Sequence, residues 1–365
     1  MLAQIFATRP ASGYHVSMAT RLEARSLTVE LPTASGWVRP VNDVSFVLAE
    51  GESLGIVGES GSGKTMLALA LMGLLPPGAR TKGEARLVPR DPSGNQPGEN
   101  LLAIPPAGMR ALRGREIAMI FQEPMTALNP VMRIGAQIEE AIRVHEPHAR
   151  ENEIRSRAVA ALERAAVPEP AVRARQYPHQ LSGGLRQRVM IAMALAANPG
   201  VLIADEPTTA LDVTVQAQIL ELLAKLRREL SLSLLFITHD LGVVAQIADR
   251  VAVMYAGRIV EQGPSAEVLR HPRHPYTEGL LRAAPRLTRE KLVPIPGSVP
   301  ALDALPSGCA FGPRCALHVG QCDVAVPELY LAGDAGAGHG DDHRARCILV
   351  LPAFKPANGP AHDHA

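Results

Sequence analysis

The stretch 58–65 combines glycines, a lysine and a threonine at the spacing G-x-x-x-x-G-K-[ST]. It follows an apolar run at 54–57 and precedes a helix-like stretch at 66–72. Glycines let successive backbone N–H groups surround an anion, and a helix N-terminus adds partial positive charge. Lys64 would contact the β- and γ-phosphates of a nucleotide, and Thr65 would offer a hydroxyl to Mg²⁺. The alternative is a Gly-rich surface turn, which the strand–loop–helix order disfavours. The candidate phosphate contacts are Gly58, Ser60, Gly61, Ser62, Gly63, Lys64 and Thr65.

A second apolar run, 201–204, ends in two carboxylates, Asp205 and Glu206. Such a run is typical of a strand buried on both faces in a parallel sheet. We expect Asp205 to hold Mg²⁺, usually through water, and Glu206 to orient or deprotonate an attacking water. The alternative is that Asp-Glu-Pro simply ends the strand.

A second predicted helix N-terminus follows Leu181 in the chain. Ser182 is a good N-cap, Gly183 and Gly184 leave backbone N–H groups uncovered, and 185–197 is rich in helix-forming residues. The sequence therefore predicts a second anion-binding helix end.

Three more polar residues follow apolar segments. Gln122 comes after the run 117–120, His239 follows the predicted strand 234–238, and Asp212 follows Leu211. Each of them alone would normally be structural, so their significance depends on their order among the other motifs.

That order, from the phosphate loop through Gln122, Ser-Gly-Gly and Asp-Glu to His239, resembles the ATP-binding-cassette (ABC) ATPases over roughly residues 22–270. In that family the phosphate loop of one subunit and the Ser-Gly-Gly signature of another enclose one ATP. The resemblance implies that Glu206 is the general base, that His239 contacts the γ-phosphate, and that Asp212 lies at the dimer interface. It also implies that Gln122 senses the γ-phosphate and Mg²⁺, and reports to a membrane partner.

Two positions depart from the family pattern. The usual Gln after Ser-Gly-Gly is Leu185, and the aromatic residue that stacks on adenine has no clear counterpart. Trp37 is the best candidate for that stacking, and a half-buried packing role for it is the open alternative.

Further segments resemble the importer ATPases for dipeptides, oligopeptides and nickel. They are 122–130 and 177–180 around the cassette motifs, and 274–277 and 295–300 in the C-terminal part. The Pro-rich stretch 284–308 is expected to pack along a surface without forming a new core.

The resemblance implies an ATPase that drives import of di- or oligopeptides, with nickel or glutathione as alternative solutes. The implied partners are a second ABC ATPase in a heterodimer, two transmembrane permease subunits and an extracytoplasmic solute-binding protein.

All the cysteines lie in the C-terminal part: Cys309, Cys315, Cys322 and Cys347. Clustered thiols in a chain of cytoplasmic character suggest a metal site. Their spacing matches neither the short pairs of structural zinc nor ferredoxin runs, which leaves metal ligation and free thiols open. The resemblance of 308–315 to the peptide importers implies a [4Fe–4S] cluster on these residues, with zinc as the alternative. The histidines near the end are scattered among Gly, Asp and Ala, which favours a solvated tail.

Composition limits the other classes of function. The chain has 365 residues, and its 37 basic and 36 acidic residues give no electrostatic argument for nucleic-acid binding. No apolar stretch reaches about 18 residues, so no transmembrane helix is expected. Residues 1–20 lack the layout of a signal peptide, and Met18 is an alternative start. We therefore expect a peripheral protein at the cytoplasmic face of the inner membrane, bound through partners.

The predicted fold class is α/β. The resemblance implies an ABC-type nucleotide-binding domain with a RecA-like phosphate-loop core, an antiparallel β subdomain and a helical subdomain, followed by a small Cys-containing C-terminal extension. The expected segments are an N-terminal extension at 1–21, the ABC ATPase domain at 22–270 with the helical subdomain at about 123–198, the C-terminal extension at 271–350 and a flexible tail at 351–365.

Two rival functions remain. A soluble ABC ATPase of DNA repair or translation would need a coiled-coil insertion, a tandem cassette or a basic surface, and none is evident. A non-hydrolysing regulatory subunit is disfavoured by the intact Lys64, Asp205, Glu206 and His239, although Leu185 leaves it open.

Overall fold

The structure is a computed structural model that describes residues 19–90, 98–123, 127–209, 211–284, 294–332 and 342–351. Most of the predicted N-terminal extension and of the tail lies outside the described residues. In chain order the strands are β1 (Thr20–Thr33), β2 (Gly36–Ala49), β3 (Ser53–Val57), β4 (Arg80–Leu87), β5 (Glu99–Asn100), β6 (Ile117–Ile120), β7 (Val201–Asp205), β8 (Ser233–Thr238), β9 (Arg250–Tyr255), β10 (Arg258–Pro264), β11 (Tyr330–Leu331) and β12 (Arg344–Ala345).

The α-helices are named in the same way. They are α1 (Lys64–Leu71), α2 (Pro106–Leu112), α3 (Ile134–Arg143), α4 (Glu151–Arg164), α5 (Pro170–Arg173), α6 (Gly183–Leu195), α7 (Val213–Glu229), α8 (Leu241–Ile247), α9 (Ser265–Arg270) and α10 (Pro275–Ala283). Short 3₁₀ turns occupy Pro178–Gln180, Gly312–Arg314, Gly320–Asp323 and Ile348–Val350. Among the described residues, no helix is both long enough and apolar enough to cross a membrane.

The central sheet has the strand order β11-β12-β10-β9-β3-β8-β7-β6. Strands β9, β3, β8, β7 and β6 run parallel, and β3, β6, β7 and β8 are buried along their whole length. Continuous apolar runs form such strands because helices and a second sheet cover both faces. In a parallel sheet the carboxyl ends share one edge, so the segments after β3, β7 and β8 start close together.

A smaller antiparallel sheet, ordered β2-β1-β4-β5, packs over one face of the central sheet. Its apolar residues share a buried cluster with β3 and with α1, the helix that follows the phosphate loop. The opposite face is covered by α3, α4, α6 and α7, which share a second cluster with β6, β7 and β8. Helix α7 is amphipathic and buries Ile219, Leu222, Leu223 and Leu226. Strands β9 and β10 form an antiparallel hairpin that turns at Ala256 and Gly257.

The C-terminal part of the chain packs against the central sheet. Strand β12 pairs with β10 through Ala345 and Glu261, which extends the central sheet. A third cluster joins Phe311 to Tyr255 of β9 and Tyr276 of α10, with ring centroids 5.4 Å apart in both pairs. The aromatic rings and the two short strands, which lie outside the Pro-rich stretch 284–308, build a small shared core. Within 294–308, the described part of that stretch, nearly all residues are exposed or half-buried, in agreement with the expected surface packing.

Candidate nucleotide-binding site

The phosphate loop connects the carboxyl end of β3 to the N-terminus of α1. Lys64 folds back over this loop, and its Nζ donates to the carbonyl oxygens of Gly58 at 2.8 Å and Glu59 at 3.0 Å. The side chain is buried, and burial lowers the pKa of Lys64 although the charges of Glu206, Asp205 and Glu59 act in the opposite direction. A buried ammonium beside the amides of a glycine-rich loop is suited to bind the oxygens of a polyphosphate.

Two glycines of the loop are required by close backbone contacts. Gly63 has φ +103°, and a Cβ there would lie 1.9 Å from the carbonyl oxygen of Pro40. A Cβ at position 58 would lie 2.2 Å from the carbonyl oxygen of Met254. A side chain at either position would displace β2 or β9, so glycine fixes the loop against both sheets.

Asp205 ends β7 beside the loop and is almost fully buried. Burial raises its pKa, and a hydrogen bond from the Thr65 hydroxyl partly offsets this. Within the described residues its Oδ1 atom has no hydrogen-bond partner. A buried carboxylate oxygen with no donor next to a threonine hydroxyl is the donor set that fits Mg²⁺.

Glu206 is the centre of a polar cluster at the same sheet edge. Its Oε2 atom accepts from the Thr209 hydroxyl at 2.8 Å and from Gln122 Nε2 at 3.4 Å, and lies 3.3 Å from His239 Nδ1. Its backbone is left-handed, with φ +47°, and its N–H donates to Ile237 O at 2.9 Å. The structure thus brings together three residues singled out in the sequence, Glu206, Gln122 and His239, and adds Thr209.

The Ser-Gly-Gly segment lies apart from the loop, at the N-terminus of α6. Ser182 caps α6 and accepts the Leu185 N–H at 3.4 Å, as predicted. Asp212 caps α7 by accepting the Val215 N–H at 2.9 Å. A Cβ on Gly184 would lie 2.7 Å from a methyl group of Val215, so the two helix N-termini are in contact. Ser182 and Asp212 are exposed there, open to a second molecule.

Trp37 lies on β2, the strand whose Pro40 touches the phosphate loop. The guanidinium of Arg80 covers its ring at 3.9 Å from the centroid, and 44% of the residue stays exposed. Trp37 is therefore not buried in a core, and a stacking role remains a prediction.

Sequence reasoning missed two residues that contact the loop from the C-terminal part. Arg314 forms an ion pair with the Glu59 carboxylate, and the Tyr276 hydroxyl accepts the Glu59 N–H. The only available signal was the position of Tyr276 and Arg314 inside motifs that resemble the peptide importers.

The cysteines occupy one neighbourhood of the C-terminal part. The Cys309 N–H donates to Cys322 O at 2.8 Å, and Cys322 and Cys347 are buried. Burial raises the pKa of Cys309, of Cys315 and of Cys347, the last to about 11, and the other three thiols contribute to the shift at Cys347. Within the described part of the chain, however, no three Cys, His, Asp or Glu side chains are grouped closely enough to hold a metal ion.

Two family descriptions match the chain. The ABC transporter family matches residues 41–209, and the oligopeptide/dipeptide transporter C-terminal region matches residues 260–322. A Brucella melitensis protein, provisionally named a peptide import ATP-binding protein, is 51% identical over 90% of this chain and 96% of its own length. A Brucella abortus protein with a name of the same kind is 49% identical over 86% of this chain and 93% of its own length.

Solved structures agree with these matches and confirm the predicted α/β cassette fold. A dimeric ATP-binding cassette, solved in a post-hydrolysis state with ADP and phosphate, has 28% identity and a TM-score of 0.58, covering 67% of this chain and 98% of its own. CbiO1 from Clostridium perfringens, part of an ABC transporter complex, has 28% identity and a TM-score of 0.57, covering 69% of this chain and 92% of its own. The chain therefore belongs to the ATPase subunits of the ABC transporter family.

Proposed function

We propose that this ATPase drives the import of di- or oligopeptides through membrane partner subunits. The observation that carries the peptide assignment is the C-terminal region at 260–322, together with about 50% identity to the Brucella proteins over most of the chain. Nickel or glutathione import by the same machinery is the alternative, because solute selectivity belongs to subunits outside this chain.

In this proposal the loop amides and Lys64 bind the phosphates of ATP, while Thr65, Asp205 and Gln122 hold Mg²⁺. The support for the metal site is the Asp205 oxygen that lacks a hydrogen-bond donor beside the Thr65 hydroxyl. Bound Mg²⁺ supplies positive charge that stabilises the β- and γ-phosphates during transfer. Lys64 exchanges its contacts with the Gly58 and Glu59 carbonyls for phosphate oxygens.

Glu206 is the proposed general base. Thr209 and Gln122 donate to one oxygen of its carboxylate, which leaves the other oxygen for a water molecule. His239 lies beside the same carboxylate and is more than half exposed, so its ring can turn toward a γ-phosphate. Proton transfer from water to Glu206 would accompany attack on that phosphate.

A second cassette is proposed to complete the site. The support is that Ser182 and Asp212 cap two exposed, adjacent helix N-termini, whose amides and partial positive charge suit a phosphate. Closure would set Ser182, Gly183 and Gly184 over ATP bound to the partner, and Asp212 would lie at the interface. We propose a heterodimer with another ABC ATPase subunit.

Two permease subunits are the proposed membrane partners, with an extracytoplasmic solute-binding protein in the same system. Phe121 next to Gln122 and Val131 are exposed apolar residues that support a docking surface near the nucleotide site. In this arrangement the chain sits at the cytoplasmic face of the inner membrane. It needs no contact with the solute.

We also propose a [4Fe–4S] cluster on Cys309, Cys315, Cys322 and Cys347, with zinc as the alternative. The support is the donor chemistry, four thiols in one partly buried neighbourhood. Iron and acid-labile sulfide in anaerobically purified protein would support the cluster, and the absence of both would rule it out.

Uptake in a strain lacking this gene tests the transport function. We expect loss of labelled di- and oligopeptide uptake, restored by the wild-type gene and not by Glu206→Gln. Loss of nickel or glutathione uptake alone would replace the peptide with another solute. Unchanged uptake of every solute would contradict transport and favour the soluble ABC ATPase of DNA repair or translation.

A further inference from the structure

Glu59 places a negatively charged side chain inside the predicted anion-binding loop. It is the first variable position of the phosphate motif, one residue after Gly58. Its carbonyl oxygen accepts from Lys64, and its negative charge reaches the Lys64 ammonium. A free carboxylate at this place would repel the phosphates and compete with them for Lys64, because like charges interact strongly in a partly buried site.

Arg314 neutralises this carboxylate with matched geometry. Its Nη1 lies 2.7 Å from Oε2 of Glu59 and its Nη2 lies 3.1 Å from Oε1, which is a two-point pairing. Such fork-to-carboxylate pairs fix direction as well as charge. The carboxylate is thereby held on the side of the loop that faces the C-terminal part.

Arg314 is itself held rigidly. Its Nε donates to Pro296 O at 2.8 Å and its Nη1 approaches the Tyr255 hydroxyl at 3.4 Å. Its guanidinium carbon lies 5.8 Å and 5.9 Å from the ring centroids of Tyr255 and Phe311, and only 5% of the side chain is exposed. A buried arginine fixed by so many partners cannot follow Glu59 if the loop moves, so it acts as an anchor.

Tyr276 fixes the backbone of the same residue. Its hydroxyl oxygen accepts the Glu59 N–H at 2.8 Å, and the residue is fully buried. Burial raises the pKa of Tyr276, which keeps the phenol neutral. The Glu59 N–H is therefore occupied by Tyr276, and the Ser62 N–H donates to the Glu59 carbonyl at 3.2 Å, so the amides of Gly61 and 63–65 are the ones left for an anion.

We propose that Arg314 and Tyr276 are positioning residues of the nucleotide site, which makes the C-terminal part of the chain a component of the phosphate-binding loop. Arg314 neutralises the negative charge of Glu59, which would otherwise repel the bound phosphates. Tyr276 fixes the direction of the Glu59 backbone N–H. The inference rests on the proposed assignment of 58–65 to ATP. It adds that two residues more than 200 positions away in the sequence control the affinity of that loop.

Nucleotide affinity of the full-length chain, measured by equilibrium titration with a fluorescent ATP analogue and Mg²⁺, tests this proposal. We expect Arg314→Met to weaken binding about tenfold, the size of one uncompensated charge near the phosphates. The matched control is Arg282→Met, which removes an exposed arginine that pairs with Glu278 on α10. It should leave the affinity unchanged.

The decisive variant is the double substitution Arg314→Met with Glu59→Gln. A neutral amide side chain at position 59 needs no counter-charge, so the double variant should regain most of the lost affinity for ATP. The single variant Arg314→Met should bind ATP more weakly at low salt than at high salt, because salt screens the repulsion between Glu59 and the phosphates. Arg314→Lys, which keeps the charge and loses the fork, should fall between. A purely structural role for Arg314 predicts no rescue by Glu59→Gln, and that result would overturn the proposal.

Tyr276→Phe and Lys64→Ala complete the design. Tyr276→Phe should weaken binding by about fivefold through the loss of one acceptor, with little change in thermal unfolding. If Lys64→Ala leaves affinity unchanged, the nucleotide-site assignment itself is wrong. If Lys64→Ala abolishes binding while Arg314→Met has no effect, the site stands and only the positioning role is refuted.

Discussion

His239 places its ring Nδ1 atom 3.3 Å from Oε2 of Glu206, the same oxygen that accepts the Thr209 hydroxyl at 2.8 Å. The Glu206 carboxylate is thus held from two sides while its backbone is fixed at φ +47°. A carboxylate in one fixed orientation suits a base that must meet a single water molecule, because proton transfer requires hydrogen-bond distance.

Glu206→Gln should keep ATP affinity and lower the rate of hydrolysis by about 10²- to 10⁴-fold, the usual contribution of a general base. Phosphate release by the chain with its partner cassette measures the rate. The exposed Glu221→Gln on α7 is the control and should behave as wild type. Hydrolysis at the wild-type rate in Glu206→Gln would remove the residue from the base role.

Thr209→Val should lower kcat about tenfold, equivalent to the loss of one hydrogen bond, and leave ATP affinity unchanged. The valine keeps the shape of the side chain but no longer donates to Glu206. Thr20→Val, at an exposed position at the start of β1, tests for nonspecific effects. Equal kcat in both variants would show that Thr209 does not orient the base.

Asp205→Asn should remove the dependence of ATP affinity on Mg²⁺, because the buried carboxylate supplies the charge that faces the cation. The affinity for ATP is measured by titration, once with Mg²⁺ and once with EDTA. In Asp205→Asn we expect the two ATP affinities to agree within about twofold. Asp303→Asn, a surface change, should keep the wild-type difference. A persistent Mg²⁺ effect in Asp205→Asn would place the metal elsewhere.

His274 should make the protein sensitive to acid. It is buried at the N-terminus of α10, its Nδ1 accepts the Tyr276 N–H, and burial lowers the pKa of His274 to about 4. The folded state disfavours the protonated ring, whereas the unfolded chain accepts the proton near pH 6.5. The free energy of unfolding is therefore unaffected by His274 above pH 6.5 and decreases as the pH falls toward 4. The loss amounts to about 3 kcal/mol of unfolding free energy at most.

Chemical denaturation between pH 7 and 4 measures this effect. His274→Asn keeps an acceptor at the cap but no titratable ring, so its unfolding free energy should fall less steeply with acid than that of the wild type. His271→Asn, an exposed neighbour, should retain the wild-type slope. Parallel slopes for wild type and His274→Asn would contradict the assigned pKa.

Local patterns predicted the cassette and the polar residues at its edge. Phosphate loops and helix caps depend on residue types at fixed spacing, so Lys64 and Ser182 were recognisable without a structure. Asp212 was singled out only through the family resemblance, and its capping of α7 is visible only in the structure. The apolar runs before Asp205 and His239 likewise indicated buried parallel strands, whose carboxyl ends must meet. The convergence of Gln122 and His239 on Glu206 follows from that geometry.

Contacts between distant segments left no such signal. Arg314 and Glu59 are 255 positions apart, and nothing periodic links them. Strand β12 has only two residues, too few for an alternation to be visible. The neighbouring His343 is buried and donates to Glu261 of β10 at 2.7 Å, so the prediction of a solvated tail was wrong for this histidine. Thr209 was missed because a threonine after a strand has many ordinary structural uses.

The pairing of β12 with β10 has a consequence for the order in which the protein matures. A ribosome produces β12 after every other described strand, and until then the backbone groups of β10 form an open sheet edge, which can pair with foreign strands. Arg314 also emerges long after Glu59. The nascent cassette therefore passes through a stage with an unprotected sheet edge and an unpaired Glu59 carboxylate, and it reaches its final nucleotide affinity only after Arg314 and β12 have been synthesised.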